Sequence, residues 1–187
     1  MGAESGAIER VEWNGPIPAR RERQLIREAQ RGSEQALADL YSAHWRRAHR
    51  AAYLIVHDAA AAEDVAQDAF LAAIGALDRF DRRRPFGPWL HRIVANRAID
   101  WARREALRRR VDATEESEAR PPEGIGEDLM EALAELPADQ RAAVVLRYLL
   151  EYSPGEIAEM LELPRGTVNS RLRRALDRLG ELLEAER

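Results

Sequence analysis

The sequence contains no cysteine and no lysine, and both absences narrow what the chain can be. Without cysteine it forms no disulfide, no zinc–thiolate site and no thiol nucleophile. All 29 basic residues are arginine, which suits contacts to phosphate and guanine better than lysine does, although a GC-rich genome explains the same bias. Charged residues interrupt the apolar stretches every few positions, so no segment predicts a bilayer span or a secretory signal. The sequence therefore predicts a cytoplasmic protein without membrane insertion.

Features of an enzyme or a metalloprotein are equally scarce. The four histidines, at positions 44, 49, 57 and 91, do not stand at metal-ligand spacings and are interpreted as ordinary helix residues. The sequence shows no phosphate-binding loop, no paired carboxylates in a basic pocket and no nucleophile with a neighbouring base. We expect no catalytic residues, no metal and no cofactor.

Charge is present, but it is sorted into blocks along the chain. The net charge of −4 hides a segment, residues 79–110, with 11 Arg against 3 acidic residues, a net +8. Residues 33–78 before it carry a net −4, and residues 111–136 after it carry a net −8. A basic patch of this size favours binding to nucleic acid, while the acidic blocks predict weak binding by the isolated chain.

Composition and periodicity predict an all-α protein with two small helical domains. Ala, Leu, Arg and Glu dominate, and all four are good helix formers. Residues 1–19 hold Pro and Gly without periodicity and predict a flexible leader. Helical patterns fill residues 20–110 and 127–187, predicting an N-terminal helical bundle and a C-terminal domain. Residues 111–126 are rich in acids, Pro and Gly, so they predict a flexible acidic linker.

The basic block contains a helix with two different faces. Placed at 100° per residue, one stripe is apolar and must face a core: Leu90, Val94, Ala98 and Trp101. The opposite stripe combines an aromatic ring, an amide and guanidinium groups: Trp89, Arg92, Asn96, Asp100 and Arg103. The preceding loop adds Arg82, Arg83, Arg84 and Phe86. Such a surface suits unstacked bases and phosphates, unless Trp89 covers the core and the arginines merely solubilise the helix.

The helix before this block carries a mixed acidic and apolar strip. Its members are Asp64, Gln67, Asp68 and Leu71. The other side of that helix holds Ala66, Phe70, Ile74 and Leu77. The strip predicts a surface on which another protein docks, or else a face that is simply solvated.

A helix-turn-helix is predicted near the C-terminus. Ser153-Pro154-Gly155-Glu156 has the capping-box pattern with Pro at the first helical position, and Pro164 opens a second helix after a short turn. Val168, Leu172, Ala175 and Leu179 form the buried stripe of the second helix. Its candidate DNA-binding residues are Arg165, Thr167, Asn169, Ser170, Arg171, Arg173 and Arg174. In such motifs the second helix enters the major groove, where Arg contacts guanine and Asn contacts adenine.

Taken together, these segments resemble the extracytoplasmic-function group of bacterial sigma factors. The resemblance is carried by AAAEDVAQDAFLAAI, by FDRRRPFGPWLHRIVANRAIDWARR and by LPADQRAAVVLRYLLEYSPGEIAEMLELPRGTVNSRLRRALDRL, in that order. It implies a factor that binds core RNA polymerase, recognises the minus-thirty-five and minus-ten promoter elements and promotes DNA opening.

The resemblance also implies a role for each surface. The strip around Asp64 would dock on the clamp helices of the polymerase β′ subunit. The loop from Arg82 and the helix from Trp89 would bind the minus-ten element as a single strand, with Asn96 among the contacts. The second domain would bind the β-subunit flap and read the minus-thirty-five element. Family members are often held inactive by an anti-sigma factor. The alternative is a stand-alone helix-turn-helix regulator, which leaves the surfaces of the first domain without a role.

Overall fold

The computed structural model describes residues 17–112 and 125–185, and both ranges are helical without a strand. The prediction of an all-α fold is confirmed. The predicted leader, up to residue 16, and residues 113–124 of the predicted linker lie outside the described residues. Within the described ranges, no helix has an apolar stretch long enough to cross a bilayer.

Four helices form the N-terminal bundle: α1 (Ala19–Ala29), α2 (Glu34–Val56), α3 (Ala59–Ala76) and α4 (Phe86–Asp112). The long α2 lies at the centre and packs against the other three. A short 3-10 turn continues α3 before the chain crosses to α4. The basic segment is thereby placed at the end of α3 and along α4.

Local chemistry sets the breaks on either side of α2. Gly32 has a φ of 90°, which only glycine adopts without steric cost, and it separates α1 from α2. Ser33 then caps α2 by accepting a hydrogen bond from the backbone N–H of Ala36. At the other end, His57 takes the left-handed conformation with a φ of 56°, and the Asp58 side chain caps α3.

Helix α4 begins earlier than its apolar pattern predicts. The pattern starts at Trp89, whereas the helix begins at Phe86 and includes Pro88 in its first turn. Proline is tolerated there because the first N–H groups of a helix have no intrahelical acceptor. Leu90, Val94 and Ala98 of the apolar stripe are fully enclosed as predicted, whereas Trp101 at its end is half-buried.

The C-terminal helices are α5 (Glu127–Ala134), α6 (Ala138–Val144), α7 (Pro154–Met160) and α8 (Arg165–Ala185). One π-helical turn continues α6, and α8 packs across α5, α6 and α7. Its core includes the fully buried Leu146, Ile157 and Val168. Each such side chain stabilises the fold by about 1.5–3 kcal/mol, which holds the outer face of α8 in a fixed position.

Candidate nucleic-acid and polymerase interfaces

The polar stripe predicted on α4 lies on the surface of the bundle. Asn96 and Asp100 are exposed, and the Arg103 side chain is 56% exposed. Trp89 and Arg92, at the start of the stripe, are half-buried. The stripe therefore offers an amide, a carboxylate and guanidinium groups along one side of a rigid helix.

The two aromatic residues of the predicted minus-ten surface differ in exposure. The Trp89 ring centroid lies 4.5 Å from that of Phe80 and 5.6 Å from that of Phe86. Phe86 is only 3% exposed, so its side chain is enclosed by the bundle and does not face solvent. Trp89 covers part of the core, as the alternative interpretation has it, and still presents ring surface beside the stripe.

The loop before α4 presents three consecutive arginines to solvent. Arg82, Arg83 and Arg84 are all exposed. The Asp81 side chain accepts a hydrogen bond from the Arg83 N–H at 3.0 Å, and the Arg84 N–H donates to the Asp81 carbonyl at 2.9 Å. The bond from the Arg83 backbone is the main cause that lowers the pKa of Asp81. The loop is thus a tight turn with a concentrated positive charge.

The predicted docking strip on α3 is brought together on one exposed face. Asp64, Gln67 and Asp68 are exposed, and Leu71 is 66% exposed. The placement of Ile74 on the buried side is wrong, because it is 41% exposed one turn beyond Leu71. The apolar end of this face is therefore larger than the sequence pattern indicates.

The helix-turn-helix forms where the sequence predicts it. The Ser153 hydroxyl accepts from the Glu156 N–H at 3.3 Å, and the Glu156 carboxylate accepts from the Ser153 N–H at 2.8 Å. This is the predicted capping box at the start of α7. The turn that follows places Glu162 in the left-handed conformation, and α8 begins directly after Pro164.

The outer face of α8 carries most of the residues predicted to read DNA. The exposed members are Arg165, Asn169, Ser170, Arg173 and Arg174. Thr167 and Arg171 are half-buried. The predicted inner stripe is buried, from Val168 at 0% exposure to Leu179 at 7%. Substitution of the exposed residues would therefore leave the core of the C-terminal helices intact.

One carboxylate joins an arginine from each predicted DNA surface. Asp139, at the start of α6, accepts from Arg103 of α4, with a distance of 2.7 Å to Nη2. Its other oxygen lies 2.9 Å from Nη2 of Arg171 on α8, whose side chain is only 18% exposed. A second ion pair joins Arg92 of α4 to Glu162 in the turn before α8. The two predicted DNA surfaces therefore meet across the interface between the two groups of helices.

Further contacts support the same interface. The Arg141 guanidinium donates to the Ile55 carbonyl at the end of α2, at 2.9 Å. His91 Nδ1 lies 2.6 Å from the Tyr152 hydroxyl.

Burial lowers the pKa of His91 to about 3 and that of His57 to about 3, so both imidazoles are neutral at pH 7. Burial also raises the pKa of Tyr152.

Neither a metal site nor a buried ligand pocket stands out. Within residues 17–112 and 125–185, no three His, Asp or Glu side chains are grouped closely enough to hold a metal ion. A cleft of about 760 Å³ lies between the ends of α4 and α5. Its charged lining mixes both signs: Glu105, Arg109, Glu131, Glu135 and Arg141.

Several of these residues carry no signal in the sequence. Asp139 and Glu162 are single acids among many, and nothing in their spacing relates them to arginines 36 and 70 positions away. The pair of His91 and Tyr152 is separated by 61 positions. Only the three-dimensional packing of the two helical groups brings these partners together.

Comparison with known families matches both halves of the chain. Residues 40–108 match "Sigma-70 region 2", and residues 126–179 match "Sigma-70, region 4". The first match contains the strip on α3, the basic loop and most of α4. The second contains α7, the turn and most of α8.

Individual relatives and solved structures agree. The chain is 30% identical over 176 residues to the ECF RNA polymerase sigma factor SigW of Bacillus subtilis, covering 84% of this chain and 94% of SigW. It is 36% identical over 157 residues to SigM of Mycobacterium tuberculosis, covering 81% and 79%. Its structure is similar to CnrH in complex with the cytosolic domain of CnrY, with 30% identity, a TM-score of 0.67 and coverage of 89% and 99%. It is also similar to RpoE in complex with the anti-sigma factor NepR from Bartonella quintana, with 29% identity, a TM-score of 0.63 and coverage of 75% and 91%.

The chain belongs to the extracytoplasmic-function group of the sigma-70 family of RNA polymerase sigma factors. Its function is that of the family: it binds core RNA polymerase and recognises promoter DNA to initiate transcription. The alternative of a stand-alone helix-turn-helix regulator is not favoured, because region 2 precedes the helix-turn-helix in the same chain.

Proposed function

We propose that residues 20–110 dock on the polymerase clamp and bind the minus-ten element, and that residues 127–187 read the minus-thirty-five element. We also propose that the protein acts in the cytoplasm and catalyses no reaction of its own. The observation that carries this division is a stripe on α4 with exposed Asn96 and Arg103 and a half-buried Trp89, distinct from the exposed Asn and Arg face of α8.

The face formed by Asp64, Gln67, Asp68 and Leu71 is the proposed contact with the β′ clamp helices. It combines two exposed carboxylates with an apolar end that would lose its water on docking. Opposite charge on the partner would steer association, and burial of Leu71 would contribute to affinity.

The α4 stripe and the loop at residues 82–84 form the proposed minus-ten site. A base released from the duplex could stack on the exposed part of Trp89, which is worth roughly 1–3 kcal/mol. Asn96 offers an amide for a base edge, and the loop arginines offer charge for the phosphates. Phe86 would support this site from within the bundle, since its ring is enclosed.

On α8, the proposed contacts to duplex DNA are Asn169, Arg173 and Arg174, which are exposed on one face. Ser170 stands between them and accepts a hydrogen bond from the Arg174 side chain at 3.3 Å. The C-terminal helices would bind the β-subunit flap, so that α8 reaches the major groove beside the polymerase.

In this structure the two groups of helices are packed together through Asp139. We propose that this is the arrangement of the protein without DNA, called the DNA-free arrangement below. The minus-ten and minus-thirty-five elements are about 25 base pairs apart, which corresponds to roughly 85 Å of duplex. Arg103 and Arg171 lie within 3 Å of the same carboxylate, at 2.7 and 2.9 Å from Asp139. The two surfaces must therefore separate before both elements can be bound.

An anti-sigma factor is a further proposed partner. One similar structure is RpoE in complex with the anti-sigma factor NepR, and another is CnrH in complex with the cytosolic domain of CnrY. CnrH and RpoE are 30% and 29% identical to this chain, so an anti-sigma factor is expected to bind this chain as well.

Transcription with purified core polymerase tests the proposed function through Trp89. The holoenzyme should open duplex promoters, and Trp89→Ala should reduce open complexes on a duplex template more than on a template mismatched at the minus-ten element. The reason is that base stacking contributes only after the strands separate. Equal losses on both templates would assign Trp89 to the core alone. Binding of a duplex promoter by the chain equally well with and without polymerase would refute the proposed function.

A further inference from the structure

The loop that carries the three arginines is held at its start by the first helix. Gln30, the residue that ends α1, donates from Nε2 to the Leu77 carbonyl at 2.8 Å and to the Phe80 carbonyl at 3.2 Å. These carbonyls belong to the 3-10 turn after α3 and to the residue that follows it. One amide group therefore fixes the position from which the loop departs.

The same helix holds the loop at its end. Glu22, in the first turn of α1, accepts a hydrogen bond from the Phe86 N–H at 3.2 Å. Phe86 is the first residue of α4, where backbone N–H groups lack an intrahelical acceptor. The carboxylate thus caps α4 from 64 positions away.

A histidine of α2 completes this site. His44 Nε2 lies 3.0 Å from the other Glu22 oxygen, and the His44 ring centroid is 5.2 Å from that of Phe86. A Cβ at Gly87 would lie 3.4 Å from His44, so the start of α4 is closely packed against this imidazole.

Glu22 is retained as a buried charge. It is 9% exposed, and burial acts to raise its pKa, but the contacts with His44 and the Phe86 N–H outweigh burial and the pKa is lowered. A buried carboxylate is costly unless it is paired and hydrogen-bonded, and each of these partners belongs to a different helix. An apolar residue in place of Glu22 would fill the same space in the bundle, but it would not fix the N-terminus of α4.

We infer that α1 positions the minus-ten loop, with Gln30 fixing its start and Glu22 fixing its end. Both residues lie outside residues 40–108, the part of the chain that matches sigma-70 region 2. They touch no DNA in this role; they hold the arginines and Trp89 at a fixed distance from each other. The inference rests on the proposed function of the loop.

The test uses holoenzyme reconstituted with each variant and measures transcription from promoters with intact and with mutated minus-ten elements. Glu22→Ala and Gln30→Ala should each lower the ratio of transcription from intact to mutated promoters roughly three- to tenfold. The loss of one buried hydrogen bond changes an equilibrium constant by about this factor. Glu22→Gln keeps an oxygen acceptor for the Phe86 N–H and should restore much of the ratio. Affinity for core polymerase should not change. Glu28→Ala, which removes a half-buried carboxylate of the same helix that accepts a hydrogen bond from Gln24, is the matched control.

Asn96→Ala distinguishes failure of the inference from failure of the proposed function, because Asn96 is the proposed contact to a base edge. If it lowers the minus-ten ratio while Glu22→Ala and Gln30→Ala do not, the inference about α1 is overturned and the proposed function stands. If Asn96→Ala leaves the ratio unchanged, the proposed minus-ten site fails and the inference fails with it. A uniform loss on all promoters with weakened core binding would make α1 purely structural. Should Glu22→Ala not fold, Gln30→Ala and Glu22→Gln decide.

Discussion

Replacing Asp139 with Asn should raise the affinity of the polymerase-free protein for promoter DNA. Asp139 neutralises Arg103 of the proposed minus-ten surface and Arg171 of α8 at the same time. In the variant the two guanidiniums would remain close together without the carboxylate between them, so the DNA-free arrangement would lose two attractions and gain a repulsion. Both arginines would then be available to phosphates.

The size of the effect follows from the exposure of the three side chains. The Arg103 side chain is 56% exposed, so its pair with Asp139 is largely screened and contributes about 0.2–1 kcal/mol. Arg171 is 18% exposed and Asp139 is 27% exposed, so their pair is less screened. Together the two pairs stabilise the DNA-free arrangement by about 1–2 kcal/mol, which corresponds to a roughly 5- to 30-fold shift toward the separated form.

Fluorescence anisotropy with a duplex promoter fragment measures this shift. Glu159→Gln is the matched control, because it removes the same charge from an exposed position on α7, in the same group of helices as Asp139. Any gain from reduced repulsion of DNA appears in both variants, and the gain from releasing the bridge appears only in Asp139→Asn. Small-angle scattering should show a larger radius of gyration for Asp139→Asn. Equal affinities of the two variants for DNA would refute the proposal that Asp139 stabilises the DNA-free arrangement.

Three further predictions concern docking, promoter reading and acid stability. Asp64→Arg with Asp68→Arg should weaken core-polymerase binding by several kcal/mol through like-charge contact, measured by competition for core enzyme, while the helical circular dichroism is retained. Asn169→Ala should reduce the difference in transcription between promoters with intact and with mutated minus-thirty-five elements, measured over a promoter library. The reason is that the Asn169 amide can contribute only through hydrogen bonds to a base. The free energy of unfolding should fall as the pH drops from 6.5 toward 3, since His57 and His91 have a pKa of about 3 in the fold and near 6.5 when unfolded. Each would contribute at most about 1.4 kcal/mol per pH unit.

Each of these predictions has a control within the chain. Glu34→Arg reverses an exposed charge at the start of α2, outside the face that contains Asp64 and Asp68, and should leave core binding intact. Arg174→Ala should weaken transcription from all library members alike and reduce its salt dependence, as expected of a phosphate contact. An unaltered promoter ranking with Asn169→Ala would show that this residue does not read sequence. A flat free energy of unfolding between pH 6.5 and about pH 5 would contradict the histidine argument.

Periodicity was sufficient for the helices and for most of their faces. Leu90, Val94 and Val168 are fully buried as their spacing predicts, and the capping box of Ser153 and Glu156 forms in full. Regular helices repeat the same geometry at every turn, so a face can be computed from spacing alone. The errors lie at element ends: α4 begins at Phe86, and Ile74 is 41% exposed near the end of α3.

The bridging residues could not be predicted, because their partners are distant in sequence. Asp139 meets Arg103 and Arg171 only when the two helical groups pack against each other. Glu22 caps α4 across 64 positions, and its place at the start of α1 indicates only an ordinary first-turn carboxylate. A pattern in one helix carries no information about which other helix it will touch.

The segregation of charge along the chain acquires a physical meaning from these contacts. The segment with a net charge of +8 contains Arg92 and Arg103, and in the DNA-free arrangement each is paired with an acid of the C-terminal helices. A carboxylate binds a guanidinium with a geometry similar to that of a phosphate, so these arginines can exchange one partner for the other. Such exposed pairs are individually weak, so they can be exchanged for phosphates at little cost once the polymerase holds the two groups of helices apart. The buried contacts across the same interface, Arg141 with the Ile55 carbonyl and His91 with the Tyr152 hydroxyl, resist separation more strongly than these exposed pairs, because each would leave a buried polar group to be solvated anew.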